Sequence, residues 1–190
     1  MNYHNITTDD MTNGDGLRTV LWCSGCSHNC KGCQNPQTHN PESGILFDSN
    51  AKAELFSYLS NSWIEGITFS GGDPLYPGNR ETILSLMKEI KETFPDKNIW
   101  CYTGFTFEQL QADNLEHLKY IDVLVDGKFE LDKRDVNLKW KGSSNQRVID
   151  VQKSLINNQI ILHDEGYEID YKEEHHNDCN CENKYDIELY

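Results

Sequence analysis

Nowhere does the chain carry an apolar run near the roughly 20 residues that a membrane-spanning helix needs, so no bilayer span is expected. Positive charge is also scarce. Seventeen Lys and Arg stand against 31 Asp and Glu, a formal net charge of −14 at pH 7. Nucleic-acid binding by phosphate neutralisation needs a Lys/Arg surface, so that role is not expected either. The opening MNYHNITTDD has no basic stretch followed by an apolar one, which predicts no secretory signal and a cytoplasmic location. No G-x-x-x-x-G-K-[ST] loop occurs, and no G-x-G-x-x-G follows a strand, which argues against nucleotide hydrolysis and dinucleotide binding. The G-x-S-x-G elbow of a serine hydrolase is missing too. There is no internal repeat and no sustained low-complexity segment.

What is present is a 190-residue chain, 37% hydrophobic, of mean hydropathy −0.69. That length fits one domain with a real core, with room for a tail. Seven cysteines cannot all pair, and four of them lie between Cys23 and Cys33. In a reducing compartment such clustering points to metal binding or redox chemistry.

Leu17 to Cys23 is rich in β-formers and is expected as a strand. Residues 1–16 before it read as a polar, turn-rich opening segment, and residues 24–43 after it as a long loop. Ser49 is the expected N-cap of a helix over about 50–61, with Ala53, Phe56, Tyr58 and Leu59 as its apolar positions. A strand over Gly66 to Ser70 runs into Gly71-Gly72-Asp73-Pro74. Asn79 opens a helix carrying Ile83, Leu84, Met87 and Ile90, and Pro95 ends it. Asn98 to Tyr102 reads as a strand, Thr106 to about Leu118 as a helix, and Ile121 to Val125 as a strand that stops at Asp126-Gly127. Strands alternating with helices predict an α/β fold with a parallel sheet. Ligands in such sheets sit at the carboxyl ends of strands. The cysteine loop, Gly71–Pro74 and Asp126–Lys128 all follow strands, so they are predicted to meet on one face. Beyond Val151 the composition turns acidic, and residues 152–190 are read as an extension, solvated and partly disordered from about residue 164.

The densest chemical signal is Cys26-Ser-His-Asn-Cys30-Lys-Gly-Cys33, a C-x3-C-x2-C spacing. Thiolates suit iron–sulfur clusters and zinc alike. Structural zinc wants four ligands, for which Cys23, His28 or His39 could supply the fourth. Three cysteines on a [4Fe-4S] cubane instead leave one iron open, which makes a catalyst. A ferredoxin's C-x2-C-x2-C-x3-C-P run is not found. Spacing alone leaves the catalytic cluster and zinc both standing.

This spacing after a first strand resembles the radical S-adenosylmethionine enzymes. Strings such as NGDGLRTV, SGCSHNCKGCQNPQT, FSGGDPLYP, IWCYTGF, DVLVDGKFE and KGSSNQRVID resemble one branch of them, the activating proteins of anaerobic ribonucleoside-triphosphate reductases. The likeness runs from about residue 1 to 151. It implies an incomplete (β/α) barrel of parallel strands, a domain over 1–151 and an acidic extension over 152–190. It implies that Cys26, Cys30 and Cys33 hold three irons of a [4Fe-4S] cluster, and that the fourth iron is chelated by S-adenosylmethionine. Reductive cleavage of that cofactor would give a 5′-deoxyadenosyl radical, which takes a hydrogen atom from a glycine of the reductase large subunit. A low-potential donor such as flavodoxin would supply the electron.

The resemblance also implies cofactor contacts. Gly71 and Gly72, with Asp73 beside them, would meet the methionine end. Gly32 and Gln34, either side of Cys33, would border the adenosyl group. Asp126 and Lys128 match an Asp-x-Lys pattern that holds the methionine end. The branch often carries tyrosine at the place of Gln34, tryptophan at His39 and proline at Asp15. Cys23 and Cys101 are expected in the core. Arg18 is offered as a partner-facing residue, and Ser143 to Arg147 as a polar cluster of open role. Rival readings are another small radical enzyme (a different glycyl-radical activase or a heterocycle modifier) and a non-catalytic zinc or iron–sulfur module. His175, His176, Cys179 and Cys181 give a weak metal-binding signal.

Overall fold

The computed structural model describes residues 1–163. The strands are β1 (Asn2–Asp10), β2 (Leu17–Cys23), β3 (Ile45–Leu46), β4 (Ile64–Gly71), β5 (Asn98–Tyr102), β6 (Val123–Asp126) and β7 (Arg147–Asp150). Between and after them lie α1 (Ser49–Leu59), α2 (Arg80–Thr93), α3 (Phe107–Ala112) and α4 (Val151–Asn157). All seven strands form one sheet in the order β3-β1-β2-β4-β5-β6-β7. The central strands β2, β4, β5 and β6 run parallel. Both edges are antiparallel: β1 pairs with β2 and with β3, and β7 pairs with β6.

The antiparallel edges correct the expectation of parallel strands only. β1 replaces the expected turn-rich opening. Its sequence is polar because only Tyr3 and Ile6 are buried, and register shifts interrupt its pairing with β2. β7 was not expected as a strand at all. Four residues with two buried positions give too short a period to read.

Strict alternation sorts the strand side chains onto two faces. Leu21, Cys23, Ile67, Phe69, Ile99, Cys101, Leu124 and Ile149 point to one face. There they meet Leu55 and Leu59 of α1, Ile83, Met87 and Ile90 of α2, Phe107 and Leu110 of α3, and Val151 of α4. Each fully buried Leu, Ile or Phe contributes about 2 kcal/mol. The opposite face holds a small cluster of Trp100, Val123, Val125 and Val148 beside Tyr102 and Trp140. Helices therefore cover one face and leave the other for the site.

Two helices differ from expectation in detail. Asp48, not Ser49, caps α1, accepting from Asn50 N at 2.9 Å and Ala51 N at 3.0 Å. The buried stripe of α1 is Ala51, Leu55 and Leu59, whereas Ala53 is exposed and Phe56 and Tyr58 are half-buried. The helix expected to reach Leu118 stops at Ala112, because Asn114 turns left-handed (φ 51°) and Leu115 N bonds back to Leu110 O at 3.0 Å. A 3-10 turn, Glu116–Lys119, follows.

The expected boundary after Val151 falls at the start of α4. The chain then returns to the sheet, with His163 N donating to Val148 O at 2.9 Å. The expected tail from about residue 164 lies outside the described residues, as do His175, His176, Cys179 and Cys181. Among the described residues no helix is long and apolar enough to cross a membrane.

Candidate functional site

The loop after β2 is closed at its base by backbone bonds. Gly25 N donates to Thr38 O at 2.8 Å and Cys26 N to His39 O at 3.0 Å. Buried Thr38 closes the 3-10 turn Pro36–Thr38 through its hydroxyl to Asn35 O at 2.7 Å. Cys26, Cys30 and Cys33 ride on the segment held above this base, each half-buried. Gly32 sits at φ +72° under Leu131, a conformation that favours glycine between the second and third cysteines.

Backbone N–H groups point at the sulfurs. Asn35 N lies 3.4 Å from Cys33 Sγ. Burial pushes the Cys26 thiol up, against the pull of the His28 and Asn29 N–H groups. Burial likewise raises Cys30, opposed by the Phe129 N–H and the charge of Lys128. Such thiols stay protonated until a cation displaces the proton, while the N–H donors are ready to stabilise sulfur charge once it forms. The donor chemistry and the spacing of the three thiols thus fit a [4Fe-4S] group. Cys23 and Cys101 are fully buried on the helix-covered face, and burial raises both thiols well above the ordinary range.

The three cysteines open onto a cavity of about 450 Å³ on the other face of the sheet. Gly71 and Gly72 from the end of β4, Gly104 from the end of β5 and Gly127 from the end of β6 line it with them. The three strand-end segments expected to converge do so. Gln34 also lines the cavity, and Trp22, Tyr102 and Trp140 form aromatic walls. Gly71 sits at φ +101°, and a Cβ there would lie 2.6 Å from Cys23 N and O. A Cβ on Gly72 would lie 2.6 Å from Gly25 O. The turn is therefore pressed against the base of the cysteine loop, and only glycine permits that approach.

Three of the expected cofactor contacts already meet protein partners or solvent in this structure. Asp73 is 1% exposed, and its carboxylate is filled by four donors. These are Leu75 N at 2.8 Å, Thr103 Oγ1 at 3.0 Å, Gly104 N at 3.1 Å and His28 Nε2 at 2.7 Å. A carboxylate offers about four acceptor sites, which these donors occupy. Asp126 is likewise buried and takes Phe107 N at 2.8 Å and Arg147 Nε at 3.0 Å. Arg147 also pairs with Glu108, which holds that carboxyl down to about 2. Lys128 is exposed and acts on the site only through its charge beside Cys30. Asp126 thus ties the end of β6 to the first turn of α3, whose cap is Thr106, and to Arg147 on β7.

Other residues reach the site in roles that the sequence reading did not give them. His28, weighed there only as a fourth zinc ligand, lines the cavity between two cysteines. Gln146, in the polar cluster of open role, accepts from Gly142 N at 2.9 Å and donates to Gly127 O at 3.0 Å, tying the 127–146 segment over the cavity. Thr12 and Asn13 reach it from the end of β1. Only His28 had a local signal, its place inside C-x3-C. Arg18, offered as partner-facing, is fully buried.

A family model described as a 4Fe-4S single cluster domain matches residues 12–149. A protein of Enterobacteria phage T4 is 49% identical over 148 residues, covering 78% of this chain and 93% of that protein. Relatives from Pasteurella multocida and Escherichia coli (strain K12) are 44% and 43% identical over 150 residues. These two alignments cover 77% and 78% of this chain and 95% and 97% of the relatives. All three relatives are named anaerobic ribonucleoside-triphosphate reductase-activating protein.

Proposed function

This chain belongs to the family of anaerobic ribonucleoside-triphosphate reductase-activating proteins, and from that premise we propose that it is the oxidoreductase that switches on such a reductase. It works with a [4Fe-4S] cluster and S-adenosylmethionine. A bound cluster would supply the electron for reductive cleavage of S-adenosylmethionine, chemistry that removes a hydrogen atom from a glycine Cα of the reductase to make its glycyl radical. Every other task falls to the chain itself. Cys26, Cys30 and Cys33 hold three irons, and their N–H partners on His28, Asn29, Asn35 and Phe129 carry part of the sulfur charge. The Gly71–Gly72 backbone borders the cofactor's methionine end. Gly32 and Gln34 border its adenosyl end. The segment tied down by Gln146 forms one wall of the cavity, which would help to shield a reactive radical from side reactions.

The observation that carries this reading is one cavity walled by three half-buried cysteines and two glycines at the ends of adjacent parallel strands. Helices on one face and a cavity on the other support an incomplete barrel, with the reductase's glycine segment entering its uncovered side. The same reading takes 1–151 as the activase domain and 152–190 as an acidic extension. A low-potential donor such as flavodoxin feeds the cluster, and the protein works in the cytoplasm.

Anaerobic reconstitution with iron and sulfide tests the reading directly. About four irons per chain are expected, and a Cys30→Ala variant is expected to lose both cluster and cofactor cleavage. Mixing the reconstituted protein with reductant, S-adenosylmethionine and the reductase should give a glycyl signal by electron paramagnetic resonance. One zinc without sulfide, or cleavage surviving in Cys30→Ala, would overturn the assignment.

A further inference from the structure

We propose that His28 and Asp73 form a latch that fixes the cysteine loop to the Gly71–Gly72 turn, so that both are positioning residues for the cluster rather than contacts of the cofactor. The inference rests on the reading of Cys26 and Cys30 as cluster ligands. His28 stands midway between them, and its ring turns inward with the side chain only 7% exposed. Nε2 lies 2.7 Å from Asp73 Oδ2, a bond to a carboxylate that places the ring proton on Nε2. The ring meets Phe105 edge-on, with centroids 4.6 Å apart, and lies flat over Gly104, where a Cβ would come within 2.3 Å of His28 Cδ2.

Asp73 gathers the other ends. Its carboxylate holds Thr103 and Gly104 at the end of β5, and its own backbone N–H donates to Gly25 O at 2.8 Å. Phe105 O in turn accepts from Gly127 N at 3.0 Å after β6. One buried carboxylate therefore locks the loop after β2 to the ends of β4 and β5, and its neighbour extends the lock to β6. The geometry matters at the sulfur as well. The backbone N–H of His28 faces Cys26, so the residue that anchors the loop also presents a donor to a ligand sulfur. Partners behind the ligands orient them and tune the metal.

The experiment compares wild type, His28→Ala, His28→Gln and Asp73→Asn in two states. In the metal-free protein, anaerobic alkylation read by mass spectrometry reports each thiol separately. His28→Ala should speed labelling of Cys26 and Cys30 several-fold while the buried Cys23 and Cys101 stay protected. Glutamine, which keeps a donor near the Nε2 position, should restore most of the protection. In the reconstituted protein, His28→Ala and Asp73→Asn should release iron to a chelator about tenfold faster or more. Their reduced clusters should also show an altered change in the electron paramagnetic resonance spectrum on adding S-adenosylmethionine. Unchanged labelling in His28→Ala overturns the latch. So does equal acceleration at Cys23 and Cys101, which would assign both residues to general stability. The metal-free arm reads the latch even if the cluster assignment fails in wild type, so the two failures are told apart.

Discussion

Arg18 carries a buried charge on hydroxyl and carbonyl oxygens. Its guanidinium donates to Thr68 Oγ1 at 2.8 Å, Ile67 O at 2.8 Å and Asp15 O at 2.9 Å, and it lies over the Trp100 ring at 5.3 Å. Burial, the largest cause, lowers its pKa to about 10, which leaves it charged at neutral pH. A planar fork is needed to reach two oxygens on β4 and one on the turn before β2 at once. Arg18→Lys keeps the charge but strands part of that set. It should lower stability by about 1.5–3 kcal/mol, read as a shifted urea midpoint with the slope unchanged. A neutral result would mean that the fork is dispensable. The sequence could not reveal this role. Alternation on β2 shows that Arg18, Val20 and Trp22 share a face, but a charge there looks like a solvent-facing one until β4 and β5 are laid beside it. The surroundings of Asp73 and Asp126 were hidden in the same way. Their places after strands were legible, whereas their partners His28, Thr103, Phe107 and Arg147 come from distant segments.

At the scale of elements, the centre of the fold was legible and the edges were not. β2, β4, β5, β6 and α2 carry continuous apolar runs or helical periodicity, because buried elements must. β1 and β7 sit at or near the sheet margins and bury few side chains, so their strands leave little pattern. The premature end of α3 depends on Asn114 and on Leu115 turning back to the core, a tertiary choice that propensity does not encode. The 3-10 turn that follows α3 carries a titratable group with a measurable consequence. His117 is buried, and its Nε2 donates to Arg80 O at 2.7 Å on α2, while buried Nδ1 has no partner. Burial, the first cause, lowers its pKa below the ordinary 6.5. The unfolded chain therefore takes up a proton before the folded one does. The contribution of neutral His117 is complete above about pH 6.5 and is lost as pH falls through the depressed value, at no more than about 1.4 kcal/mol per pH unit. Urea midpoints between pH 7.5 and 5.5 should fall less steeply in His117→Gln, which keeps a donor toward Arg80 O and cannot titrate. Parallel curves for the two proteins would remove His117 as the cause.

For the molecule as a whole, the convergence of three loops on one face followed from chain order alone, since parallel strands joined by helices put their carboxyl ends together. What chain order did not supply was the second wall of the cavity. Trp140 and Gln146 come from the segment between β6 and β7, which has almost no regular structure to announce it. The residues that line the cavity, from Thr12 to Gln146, all fall within the span that the family model matches. The family model ends at residue 149, and alignments of 148–150 residues already cover 93–97% of the relatives' own length. The segment after His163 holds ten of the 31 acidic residues and two of the 17 basic ones, so more than half of the net −14 lies outside the shared machinery. If the activase domain is self-sufficient, a chain ending at His163 should bind iron and cleave S-adenosylmethionine as the full chain does. Its interaction with the reductase is where a change should show, because removing so much negative charge alters the long-range field that steers association. Measuring association at low and high salt separates the two effects. Loss of cluster or of cleavage in the shortened chain would instead assign the extension a part in the site itself.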